Sequence, residues 1–194
     1  ADYTGFVLLK LTTGGKVQQL ARVKTPGRAV NVTFNNDLLL VSDWFEGLRI
    51  MDVSNPVKPE FLSRVPTTGW AIDAAAQDDM AYVCCVNHGL MAVNIADPRN
   101  PVIGEVDATA QAPEGIAITK GCLYLADFNF GLLVYDLTDP MHPKARSCWK
   151  TAVGKGVQVR GDMLLLCNYI YGLKWFDISE PFKPVLVGEL DTWG

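Results

Sequence analysis

The chain has no cluster of positive charge and no long apolar run, and each absence removes a class of function. Its 17 lysines and arginines are scattered among 21 acidic residues, for a formal charge of -4. Nucleic acid and anionic membrane surfaces are held by concentrated Lys/Arg patches, so no nucleic-acid partner is expected. Apolar stretches such as Met163–Cys167 end after about five residues, against the roughly 20 needed to cross a bilayer as a helix. A membrane-spanning chain is not expected.

Three further absences narrow the chemistry. The start, Ala1-Asp2-Tyr3, shows neither a charged n-region nor an apolar h-region, so no signal peptide is expected, although a chain already cleaved would read the same. The five cysteines (Cys84, Cys85, Cys122, Cys148, Cys167) are odd in number and lack the spacing of a small disulfide scaffold, which leaves the redox compartment open. There is no Gly-rich phosphate loop and no nucleotide motif, and no cofactor is expected. Helical periodicity never lasts beyond a turn.

What is present is a repeat. Gly47-Leu48-Arg49-Ile50-Met51-Asp52-Val53-Ser54-Asn55-Pro56 recurs from Gly89, Gly131 and Gly172, at intervals of 42, 42 and 41 residues, and a worn copy begins at Gly5. Each unit holds short runs of β-branched and aromatic residues broken by Gly, Pro, Asn and Asp about every ten residues, which reads as strands. In the first complete unit the innermost strand is expected at about Ala29–Phe34 and the second at Leu38–Ser42. The third is expected at Leu48–Val53 and the outermost at Glu60–Val65. The Asp-x-Ser-Asn-Pro-x-x-Pro segment is a turn, because Asp and Asn bond the following backbone and proline blocks pairing.

Four strands in about 42 residues is the size of a propeller blade, whose sheet must stack on its neighbours to bury both faces. The expected fold class is all-β, a β-propeller of four complete four-stranded blades plus the outer two strands of a fifth. The chain reads as one segment, 1–194, with a half blade over 1–27 and blades over about 28–69, 70–111, 112–152 and 153–194. A five-bladed ring closed by the incomplete blade would leave two strand edges unpaired. A larger ring of seven or eight blades, completed by another polypeptide chain or by a segment removed by cleavage, is the expectation.

The pattern Gly-Leu-x-x-x-Asp-Val/Ile-Ser-x-Pro-x-x-Pro, followed by an apolar strand such as Val185–Leu190, resembles the LVIVD repeat family of bacterial and archaeal β-propellers. The resemblance covers nearly the whole chain and implies the fold and an extracytoplasmic location, not a reaction. The second copy departs from it, with Asn94 in place of the Asp and Ala96 in place of the Ser, which questions the hydrogen bonding of that turn.

Function in a propeller gathers on the face where second-to-third loops meet the linkers between blades. Here those loops supply Trp44, Phe45, Asn87, His88, Phe128, Phe130, Tyr169 and Tyr171, with Trp70, Trp149 and Trp193 on the linker side. Aromatics at loop tips suggest a surface for a protein or a glycan; the alternative is that the rings fold back over the blade tops. Asp43, Asp127 and Asn168 recur at one position and are read as turn caps. Cys85 and His88 are the candidates for a metal site, which fits no standard zinc spacing. His142 falls in the repeated turn on the opposite face.

For catalysis the candidates are Asp73 and Glu114 at the channel mouth, with Lys155 aligned to Glu114 and Arg28 at the same end. They read as an acid and base pair or as a salt-bridge network lining a wet channel. The leading expectation is a non-enzymatic interaction or scaffold module, oligomeric with a second chain, binding through the aromatic loop face. The alternative is an extracytoplasmic polysaccharide lyase or hydrolase, and after it a metal-dependent oxidoreductase.

Overall fold

The computed structural model describes residues 4–151 and 153–192. The protein is all-β: strands β1 (Gly5–Leu11) and β2 (Val17–Lys24) form a two-stranded sheet, and four four-stranded antiparallel sheets follow. Blade 1 is β3 (Asn31–Asn35), β4 (Leu38–Ser42), β5 (Leu48–Asp52) and β6 (Glu60–Val65). Blade 2 is β7 (Trp70–Gln77), β8 (Met80–Val86), β9 (Gly89–Asn94) and β10 (Val102–Asp107). Blade 3 is β11 (Pro113–Thr119), β12 (Cys122–Asp127), β13 (Gly131–Asp136) and β14 (Lys144–Trp149). Blade 4 is β15 (Gly156–Arg160), β16 (Met163–Cys167), β17 (Leu173–Asp177) and β18 (Val185–Leu190). Every sheet pairs its strands in chain order, the up-and-down meander of a propeller blade.

Two of the four strands expected in blade 1 are displaced by a residue or two. Pairing at the inner strand begins with Val30 N donating to Ser42 O and runs on to Asn35 opposite Leu38. The third strand stops at Asp52 because its carboxylate accepts Ser54 N at 2.8 Å and turns the chain away. The same bond recurs from Asp136 to Thr138 N and from Asp177 to Ser179 N. Asn94 keeps it too: its amide oxygen accepts Ala96 N at 2.9 Å, so the departure in the second copy costs that turn nothing.

The glycine that opens each third strand is required by both conformation and space. Gly47, Gly89, Gly131 and Gly172 have φ between 79° and 100°, and at Gly89 an added Cβ would stand 2.0 Å from Asp107 O. Just beyond it, all four blades slip register between third and fourth strands, at Ile50/Met51, Ile103/Val106, Val134/Tyr135 and Trp175/Phe176. Repeated bulges of this kind bend and twist the outer strand.

Sheets are bound face to face by four hydrophobic cores. Leu40, Ile50 and Val83 lie between blades 1 and 2, Tyr82, Leu125 and Tyr135 between 2 and 3, and Tyr124, Leu166 and Phe176 between 3 and 4. Phe6 and Leu8 of the half blade pack on Leu39, Val41 and Met51 of blade 1. A hydroxyl from one blade also reaches the proline turn of the next: Ser63 to Pro98 O, Tyr82 to Pro140 O and Tyr124 to Pro181 O. No α-helix occurs among the described residues; a single 3-10 turn spans Tyr169–Tyr171.

Candidate functional site

The loops on the channel-mouth face are anchored by buried side chains at one repeat position. Asp43 accepts Thr25 Oγ1 at 2.7 Å and Gly27 N at 3.2 Å, tying the linker that enters blade 1 to the loop that leaves β4. Asp127 is fully buried and accepts four backbone amides, from Gln111, Ala112, Asn129 and Phe130, at 2.8–2.9 Å. Asn168 accepts Val153 N at 3.0 Å. Blade 2 has Cys85 at this position, buried in the core between blades 1 and 2, with its thiol pushed up to about 12 by burial.

On that frame the aromatics separate into three groups. Trp44 takes a left-handed conformation, φ 50°, and exchanges two backbone hydrogen bonds with Ala71, so it sits astride the seam between blades 1 and 2. Phe45 stacks on it at 5.6 Å, and Trp70 closes the cluster at 5.5 Å from Trp44 and 5.4 Å from Phe45. The Arg28 guanidinium lies 4.2 Å from the Trp44 ring centroid. Phe45 is 64% and Trp70 39% exposed, whereas the Trp44 Nε1 is buried without a hydrogen-bond partner.

The second group joins Phe128 and Tyr169, 6.2 Å apart, under the Lys155 ammonium, which is 5.6 and 6.0 Å from their centroids. The third group turns inward. Phe130 packs on the core between blades 2 and 3, and Trp149 stands edge-on to Phe176 at 4.8 Å in the next core. Tyr171 is exposed on the outer rim beside Ile170, Lys174 and Glu189. Trp193 lies outside the described residues. Asn87, with φ 68°, and the exposed His88 occupy the loop between the two aromatic groups.

The ionisable candidates are divided among separate partners. Lys155 pairs with Glu114 at 2.8 Å. Asp73 is instead shared by three inner strands: it accepts the Asn31 side chain of β3, Ala74 N of its own strand at 2.8 Å and Ile116 N of β11 at 3.2 Å. Burial raises its carboxyl to about 6, against which those three hydrogen bonds pull. Cys85 faces the core while His88 lies beside Gly69 at the surface. Among the described residues no group of three or more His, Cys, Asp or Glu is placed to hold a metal.

Sequence reasoning placed Arg28 and Lys155 at the channel mouth but missed that each lies over an aromatic ring. Arg28 and Lys155 each come from the linker just before an inner strand, so their position was available, but the ring contact needs the fold.

Comparison with known proteins follows the architecture. Among curated proteins none matches the chain. A crystal structure of a functionally unknown protein from Desulfotomaculum acetoxidans DSM 771 superposes with a TM-score of 0.81 at 11% identity. It covers 97% of this chain and 64% of that one. A chain from a nidogen/laminin complex gives 0.71 at 12% identity, over 98% of this chain and 77% of that one. The computationally designed Ika4 protein gives 0.64 at 9% identity, over 79% and 92%. At these identities the likeness is one of fold. The model of the LVIVD repeat matches residues 26–67, 68–107 and 113–151. With three in-phase matches spanning more than half of its length, the chain belongs to the LVIVD repeat family.

Proposed function

We propose that the protein is a non-enzymatic recognition module, a rigid propeller platform that binds a protein partner or a glycan through Trp44, Phe45 and Trp70. The observation that carries this reading is the three-ring cluster itself. Its rings are held by two backbone hydrogen bonds across a blade seam, yet Phe45 and Trp70 remain open to water. Rigid exposed aromatics beside an arginine have the composition of interface hot spots. A chain of this fold is found in a nidogen/laminin complex, so the architecture is compatible with protein recognition. The extracytoplasmic location belongs to the same proposal, as does a ring completed by another polypeptide.

The test is a titration of intrinsic tryptophan fluorescence with a panel of oligosaccharides, together with photo-crosslinking from position 45 in extracts of the source organism. Phe45→Ala and Trp70→Ala are expected to weaken whatever binds by tenfold or more without lowering the melting temperature. Undiminished binding in the double variant would overturn the proposal.

One observation favours the enzymatic reading: an inner-strand carboxyl with a raised pKa at the channel mouth, Asp73. If that reading holds, a polysaccharide panel is cleaved by the wild type and not by Asp73→Asn or Glu114→Gln.

A further inference from the structure

On the face opposite the aromatic loops, the turn between β7 and β8 of blade 2 meets the chain that leaves β13 of blade 3. A cavity of about 340 Å³ lies between them, walled by Asp78, Asp79, Met80 and Tyr82 of blade 2 and by Leu137 and Pro140 of blade 3. Its floor is apolar and closed. Met80 and Tyr82 are buried, the Tyr82 hydroxyl donates to Pro140 O at 3.0 Å, and Leu137 packs on the core between the two blades. Burial and the charge of Asp139 push that hydroxyl up to about 12, so it stays protonated at neutral pH.

The neighbouring seams bridge the same place with their own side chains. Counted by the repeat, Lys120 stands where Asp78 does, and Asp162 stands where Gly121 does. Between blades 3 and 4 the Lys120 ammonium crosses to the Asp162 carboxylate. Between blades 1 and 2 the Asn35 side chain crosses to donate to Asp78 O at 2.9 Å. Between blades 2 and 3 the ammonium is replaced by a carboxylate and its acceptor by Gly121, which also lines the cavity. The side chains of Asp78 and Asp79 therefore border an apolar floor with no ion-pair partner among the described residues.

We infer that this cavity binds a small primary amine, its ammonium held by Asp78 and Asp79 as Lys120 is held by Asp162, and its short alkyl chain laid on Met80, Leu137 and Pro140. Charge selects the cation: an anion would meet both carboxylates, with Asp139 close behind Tyr82. Volume selects a small ligand, since binding cavities run from roughly 300 to 1,000 Å³ and this one is at the lower end. Both carboxylates are exposed, so each ionic contact is screened, and the affinity is expected to be about millimolar and to fall as salt is added. The cavity lies across the molecule from Trp44, Phe45 and Trp70, and the inference is independent of what they bind.

The probe is n-pentylamine, titrated into the full chain at neutral pH and followed by amide chemical shifts; 1-pentanol and valerate are the neutral and anionic controls. Saturable shifts are expected at Gln77–Tyr82 and at Gly121, Leu137 and Thr138. Pentanol should bind at least tenfold more weakly, and valerate should leave these amides unmoved. Asp78→Asn combined with Asp79→Asn should weaken pentylamine binding tenfold or more, while Phe45→Ala leaves it unchanged. Four results would each overturn the inference: no saturable shift, shifts confined to other residues, equal binding of pentanol by the wild type, or undiminished binding by the double variant. The pentanol comparison is made on the wild type and stands even if the double variant fails to fold.

Discussion

Replacing Asp73 by asparagine should make the fold more stable at neutral pH and flatten its pH dependence. The carboxylate is partly buried where β3, β7 and β11 converge, and its pKa is raised from 3.8 to about 6. A group whose folded pKa lies above its unfolded value supports the fold below the unfolded value, and that support is lost as pH rises through the folded one. For a carboxyl moving from 3.8 to about 6 the full loss is at most about 3 kcal/mol at 1.36 kcal/mol per pH unit. Of this, about 2 kcal/mol falls between roughly pH 4.5 and 7.5. Asparagine cannot ionise, but its amide would face the Ile116 amide donor, forfeiting one hydrogen bond of about 1 kcal/mol. The net expectation is a variant more stable by about 1–2 kcal/mol near pH 7.5 and no better, or slightly worse, near pH 4.5. Urea denaturation followed by tryptophan fluorescence at several pH values measures this, because the difference between the two proteins cancels every other titration. Parallel curves for wild type and variant across that range would refute the reasoning.

Two other substitutions test the repeat itself. Gly89→Ala should destabilise by more than 2 kcal/mol, roughly, or prevent folding, since φ is 100° and the new methyl would sit 2.0 Å from Asp107 O; thermal melting decides it, and a near-neutral result would show that the third strand can shift. Tyr124→Phe should cost about 1 kcal/mol by removing the 2.9 Å hydrogen bond to Pro181 O while leaving the core volume intact, and calorimetry should show the fold's melting temperature lowered but its cooperativity kept.

How much of this was legible in the sequence depended on what each residue type is restricted to. Glycine at left-handed φ, aspartate folding onto the backbone two residues on, and proline after it have few alternatives, so the turns and the strands between them could be placed from the repeat. The aromatics have no such restriction. Phe128 and Phe130 belong to one loop, yet the first lies under Lys155 and the second joins a core, because the chain reverses between them in the turn that Asp127 caps by accepting Asn129 N and Phe130 N. Trp44 and Trp149 read alike as loop tryptophans, but Trp149 ends a strand and packs on Phe176.

The repeat supplies its own control for separating scaffold from function. Positions that all four blades share, the left-handed glycine and the Asx oxygen that caps the following turn, carry the fold in each copy by the same bond. Positions that break the pattern are where one blade does something the others do not. At the channel-facing position the residues are Asn31, Asp73, Gly115 and Gly156, and only the Asn31–Asp73 pair is joined there by side chains. An added Cβ at Gly115 would stand 2.8 Å from Gly156 Cα, so blades 3 and 4 approach more closely than a side chain allows. The same inner ring is therefore polar and hydrogen-bonded on one side and bare backbone on the other. On the polar side lie Trp44, Phe45 and Trp70, so the proposed binding site falls at the seam between blades 1 and 2, where the inner ring keeps its side chains.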